Sequence, residues 1–155
     1  MKMKKVLFFL IFTVFALALM AQTGLYDLSF GDSFDTCDET LYYSDYEYVG
    51  EYNGVHIYYP YEESADEYVV DEIKLYFEGE DDALTGWAIF FYPDSKDNIE
   101  TFVIGQMKEL HGNDYVYHKN GEYYSWDFAD KRFVEAGFTE DKSRFYVEYG
   151  SEFEE

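Results

Sequence analysis

The stretch Tyr46-Glu47-Tyr48-Val49-Gly50-Glu51-Tyr52-Asn53-Gly54-Val55-His56-Ile57-Tyr58-Tyr59 decides the fold of this chain. Tyr46, Tyr48, Gly50 and Tyr52 alternate with Glu47, Val49 and Glu51. That period of two places successive side chains on opposite faces of a strand. Asn53-Gly54 follows, and both residues tolerate the positive φ that a two-residue hairpin turn needs. Val55–Tyr59 is then the returning strand, with His56 facing Glu51. Pairing across the turn predicts Tyr48, Tyr52, Val55, Ile57 and Tyr59 on one face, and Glu47, Val49, Glu51, His56 and Tyr58 on the other. The first set holds more large apolar groups and is expected to pack inward.

Upstream, Asp32-Ser33 is a capping signal for a helix running to about Leu41, with Phe30 as its hydrophobic staple. Phe34, Cys37 and Leu41 share one helical face, so Cys37 is expected in the core rather than as a reactive thiol. Downstream, Pro60 and the acidic Glu62–Glu67 read as a loop. Val69–Glu78 reads as a third strand, with Val69, Asp71, Ile73, Leu75 and Phe77 on one face. Gly79–Asp82 is an acidic turn. Leu84–Tyr92 is a fourth strand, placing Phe90 and Tyr92 outward if Trp87, Ile89 and Phe91 point inward.

Pro93-Asp94-Ser95 opens a second helix to about His111, with Ile99, Phe102, Val103, Gln106 and Leu110 as its inner stripe and Gly112 as its stop. Tyr115–His118 and Glu122–Phe128 form a hairpin around Asn120-Gly121. There Tyr115, Tyr117, Tyr124 and Trp126 share the inner face, and Val116, His118, Tyr123 and Ser125 the outer. Arg132–Phe138 and Arg144–Tyr149 are the last two strands, and residues 151–155 an acidic tail. The order is one helix and four strands, twice. The helix starts lie 62 residues apart and the Asn-Gly pairs 67 apart. This predicts an α+β domain, an antiparallel sheet of up to eight strands with two helices on one face, built by internal duplication.

The stretch Leu28-Ser29-Phe30-Gly31-Asp32-Ser33-Phe34-Asp35 resembles the opening of small exported bacterial modules, where a Gly-polar turn leads into the first helix. The repeated helix-plus-four-strand order is similar to the β-lactamase-inhibitory-protein fold. The resemblance implies two units sharing a curved antiparallel sheet with the helices on one side, and an inhibitor-like role. That family's repeats contain disulfides, whereas this chain has a single cysteine, so no functional residue is carried over.

At the N-terminus, Met1-Lys2-Met3-Lys4-Lys5 precedes the apolar run Val6–Leu19, with small residues at Ala16, Ala18 and Ala21. This is the order of a cleavable signal peptide over residues 1–21, leaving a single exported domain over 22–150, periplasmic or extracellular. The apolar run is shorter than the ~20 residues of a spanning helix, and no membrane insertion is expected after cleavage. Losing Met1–Ala21 removes three lysines and no acid, taking the net charge from -22 to -25. Such a charge argues against nucleic acid and anionic lipid, and is compatible with a protein partner bearing a basic surface, with bound cations, or with simple solubility. Aromatic residues make up 23% of the chain, which argues for a folded core.

No Gly-x-Ser-x-Gly elbow, Cys-x-x-Cys or phosphate-binding glycine loop is present. His56, His111 and His118 do not form a zinc motif, and no cofactor or metal is expected. His111 ends a helix, where a partly positive imidazole suits the dipole. Glu78-Gly79-Glu80-Asp81-Asp82 lacks the EF-hand pattern and reads as a solvated hairpin tip. With 33 Asp and Glu residues, a hydrolytic carboxylate pair has no unique candidate.

Tyrosine is the more informative signal, because it gives large contact area with a polar tip. His56, Tyr58, Tyr76, Tyr92, His118, Tyr123 and Tyr146 are the candidate partner-binding residues of an outer sheet face. Ordinary strand propensity also accounts for tyrosine in sheets. The leading expectation is an exported, non-enzymatic binding or inhibitor-like module. A structural envelope-associated protein and a small hydrolase are the alternatives.

Overall fold

The computed structural model describes residues 24–61, 69–79, 82–92, 96–128 and 130–151; the side chains of residues 69 and 96–98 are outside the description. The segment expected as a signal peptide, the expected loop at Glu62–Glu67, the expected helix opening at Pro93-Asp94-Ser95 and the last four residues lie outside the described residues. A short 3-10 turn at Leu25–Asp27 leads to α1 (Phe34–Tyr43), then β1 (Tyr46–Tyr52), β2 (Val55–Pro60), β3 (Val69–Glu78) and β4 (Ala83–Tyr92). The second run is α2 (Lys96–His111), β5 (Val116–His118), β6 (Tyr123–Asp127), β7 (Arg132–Phe138) and β8 (Phe145–Ser151). Ser151, read as tail, is therefore the last residue of a strand.

All eight strands form one sheet in the order β1-β2-β3-β4-β8-β7-β6-β5, every neighbouring pair antiparallel. The fold is α+β. The second four strands repeat the order of the first in mirror sense, so the fourth strands of the two runs meet at the centre. Trp87 pairs with Tyr149 across that seam, and their rings stack at 4.2 Å and 10°. Ile89 with Val147 and Phe91 with Phe145 continue the row, all buried. Among the described residues no helix is long and apolar enough to cross a membrane.

Both helices cover the same face. Ser33 caps α1, its Oγ accepting from Thr36 N at 3.3 Å. Cys37 and Leu41 are fully buried, and burial, with Asp32 and Asp38 adding, pushes the Cys37 thiol up to about 12. Phe30 packs on Trp87 at 4.8 Å rather than stapling α1 alone. In α2 the buried stripe is Ile99, Val103, Ile104 and Met107. The expected stripe is rotated: Phe102 and Leu110 are 37% and 48% exposed. Ile104 and Met107 continue the spacing from Ile99 and Val103, and they meet the sheet first.

The first hairpin inverts its expected faces. Asn53 and Gly54 take φ of 52° and 79°, and the turn forms as read. However, Tyr48 pairs with Tyr58 and Gly50 with Ile57, so Val49-Gly50 is a β-bulge. Gly50 sits at φ 146°, a conformation other residues rarely adopt. The extra residue moves Tyr48 onto the face of His56 and Tyr58, which is the covered one. Tyr52, Val55, Ile57 and Tyr59 are left on the outer face. A second bulge sits in β3, where Val70 pairs with Phe91 and Glu72 with Phe90. Val70 takes the core position expected for Asp71, and Asp71 turns to Arg144. The second hairpin keeps its expected pairs, but through a wider loop: Gly121 N donates to His118 O at 3.2 Å, and Glu122 takes φ 54°.

Candidate functional site

Among the described residues no helix lies on the outer face of the sheet, which is read across its strands. One row runs Glu72, Phe90, Tyr146, Gly137, Tyr123, His118, and the next Lys74, Ala88, Glu148, Glu135, Ser125, Val116. Ala88 and Ser125 are buried although they face outward, because the larger neighbours lean over them. Tyr123 lies across Gly137, where a Cβ would come within 2.8 Å of the Tyr123 Cβ. A close approach of that kind is what a strand glycine permits.

Of the candidate residues, Tyr76, Tyr92, His118, Tyr123 and Tyr146 lie on this face. His118 stacks on Tyr123 at 4.3 Å and 13°, and its Nε2 hydrogen-bonds Ser125 Oγ at 2.9 Å. Tyr146 is half-buried beside Glu135 and Glu148; burial first, then those carboxylates, push its phenol up to about 12. Tyr76 is raised in the same way, by burial and then by Glu148 and Glu72. Tyr92 is 52% exposed and hydrogen-bonds Asp71, which raises its phenol.

His56 and Tyr58 are not on this face. Tyr58 is fully buried under α1, and its hydroxyl donates to Asp38 Oδ1 at 3.0 Å. His56 lies against Phe34 and Phe77, with Nδ1 on the Tyr48 hydroxyl at 3.1 Å. The physical reason is the register of β2 on β3, where His56 faces Leu75 and Tyr58 faces Ile73, both fully buried, together with Asp38, which gives a buried phenol its hydrogen-bond partner. His111 also departs from expectation: burial lowers its pKa, so the neutral ring packs against Phe128 and Tyr149.

Two charged groups that sequence reading passed over complete the face. At one end Arg144 Nη1 donates to Asp71 Oδ2 at 2.9 Å and to Glu72 Oε1 at 2.7 Å. Its guanidinium lies 4.4 Å from the centroid of Phe90, and Lys74 Nζ lies 4.8 Å from the same ring. Burial alone raises Glu72, but hydrogen bonds from Lys74 and Arg144 outweigh it and hold the carboxyl below its ordinary range. Near the sheet centre, Glu135 and Glu148 stand directly opposite each other on β7 and β8. Both carboxyls are raised, chiefly by burial; Glu148 is pushed further by Glu135, whereas His118 partly offsets the rise at Glu135. The alternations Phe133-Glu135-Gly137 and Tyr146-Glu148-Gly150 mark both glutamates as outward, but their register depends on the six-residue loop between the strands.

A cleft of about 600 Å³ borders the face, lined by Lys119, Glu122, Phe138, Thr139, Lys142 and Tyr146. Glu122 and Lys142 form an ion pair at its rim. Among the described residues, no group of three or more His, Cys, Asp or Glu is arranged to hold a metal ion. Comparison with known proteins finds no matching family model, no matching curated protein and no matching solved structure.

Proposed function

We propose that this protein is an exported, acidic, non-enzymatic binding module that captures a protein partner with a basic surface on its outer sheet face. The observation that carries the reading is the division of labour between the two faces. Both helices cover one side of the sheet, and the other presents half-buried tyrosines interleaved with carboxylates. Tyrosine supplies contact area at low entropic cost, and the carboxylates supply charge complementarity. The reading of Met1–Ala21 as a cleavable leader supports a domain that works outside the cytoplasm. The inhibitor-like form of this proposal rests on the resemblance to the β-lactamase-inhibitory-protein fold, and the mirrored order of two helix-plus-four-strand runs supports it.

The test is affinity capture from a matched extract, with the partner identified and measured again as a purified protein. Tyr76→Ala with Tyr146→Ala should abolish capture, and Tyr58→Phe, on the covered face, should leave it intact. Capture unchanged by the outer-face pair would overturn the reading. Capture that disappears for every protein in high salt would reduce it to unspecific charge.

A further inference from the structure

The outer face shows what it does with a carboxylate pair when the chain supplies the cation. Asp71 and Glu72 are bridged by one guanidinium nitrogen, Arg144 Nη1, and the guanidinium lies 4.4 Å from the Phe90 ring centroid. A planar fork with donors on several sides suits two carboxylates and an aromatic face at once. Glu135 and Glu148 are a second pair of neighbouring carboxylates, set across two strands rather than along one. They are directly opposed on neighbouring strands and half-buried, and Tyr146 and Tyr76 lie beside them. Among the described residues no Lys or Arg pairs with either glutamate. His118 is near Glu135, but its Nε2 is engaged with Ser125.

Like charges directly opposite each other cost a sheet stability. The chain neutralises Glu72 with its own arginine and lysine, and leaves Glu135 and Glu148 opposed with no Lys or Arg partner among the described residues. The geometry points to the Glu135–Glu148 pair as the docking point for an arginine side chain of a basic protein partner, its guanidinium bridging the two carboxylates beside Tyr146 as Arg144 bridges Asp71 and Glu72 beside Phe90. This rests on the outer-face reading above and names the group that reading requires. A metal ion is a poorer occupant, since no third His, Cys, Asp or Glu among the described residues joins the pair.

The test titrates the exported protein with acetylated tetra-arginine amide and with its tetra-lysine counterpart at about 0.15 M salt, where exposed charges are largely screened. Binding is followed by calorimetry, and its position by NMR shifts. The expected result is shifts on β7 and β8, weaker binding of the lysine peptide, and at least about tenfold loss in Glu135→Gln/Glu148→Gln. Thermal melts of each variant confirm that it is folded. Undiminished affinity in the double glutamine variant, or no binding to the unaltered protein, overturns the arginine anchor. If Tyr76→Ala/Tyr146→Ala still abolishes binding while the glutamine variant does not, the anchor falls and the outer-face reading stands. If neither pair matters and the shifts map to another surface, both fall.

Discussion

The hydroxyl of Tyr58 donates to Asp38 Oδ1 at 3.0 Å and so ties β2 to α1 through the covered side of the sheet. Burial, then the hydrogen bond to Asp38, push the phenol above its ordinary range, so it stays a donor at any physiological pH. Tyr58→Phe keeps the ring and removes the bond. The expected loss is about 1–2 kcal/mol, since Asp38 is left without its donor. Urea denaturation measures it, and partner capture should be unchanged.

Glu148 makes the opposite prediction. Its carboxyl is raised by burial and by Glu135, so the folded chain holds this proton more tightly than the unfolded one. The penalty is absent below the ordinary value of 4.5, grows as pH rises through the elevated value, and is complete above it. Glu148→Gln should therefore stabilise the protein at neutral pH by about 0.5–1 kcal/mol, the scale of an opposed like-charge pair. Melting curves at pH 7 and pH 4 check this, and an equal gain at both would contradict it.

His111 Nε2 hydrogen-bonds the Tyr149 hydroxyl at 3.0 Å, while that hydroxyl accepts from Leu25 N at 3.0 Å. Burial lowers the His111 pKa, so the unfolded chain takes up its proton first as pH falls. Stability should be level above the ordinary value of 6.5 and decline as pH drops from there towards the lowered one. His111→Gln should flatten this decline. A variant whose pH profile still matches the parent between about pH 7 and 5 would assign the slope to other groups.

Gly137 leaves room for Tyr123, and an added Cβ would meet the Tyr123 Cβ at 2.8 Å and Glu122 O at 3.2 Å. Both are close to backbone and cannot swing away. Gly137→Ala is expected to cost roughly 1–3 kcal/mol, as overpacking does, and to disturb the His118–Tyr123 stack. Near-ultraviolet dichroism and the His118 ring shifts report the stack; unchanged spectra would show that the strands absorb the methyl.

Much of the fold was legible because periodicity and turn chemistry act locally. Asn53-Gly54 formed its turn, Ser33 capped its helix, and Tyr123 faced His118 as pairing requires. The bulges were not legible, because Gly50 and Asp71 fit a regular alternation as well as they fit an interruption of it. The inserted residue takes Tyr48 off the face of Tyr52, and the long-range register of β2 on β3 sets His56 and Tyr58 opposite the buried Leu75 and Ile73. Phe102 and Leu110 misled for a related reason: an apolar stripe admits more than one rotation, and the sheet selects Ile104 and Met107. The Glu135–Glu148 pairing needed the long-range register of β7 on β8, which no local pattern specifies.

The central position of β8 has a consequence for how the molecule is made. Phe145–Ser151, the last of the eight described strands in chain order, is the one that joins the two halves. Until it arrives, β4 is an open edge carrying Trp87, Ile89 and Phe91, an aggregation hazard of the kind such edges present. Cutting the chain ahead of Phe145 therefore removes the keystone of the sheet rather than a tail.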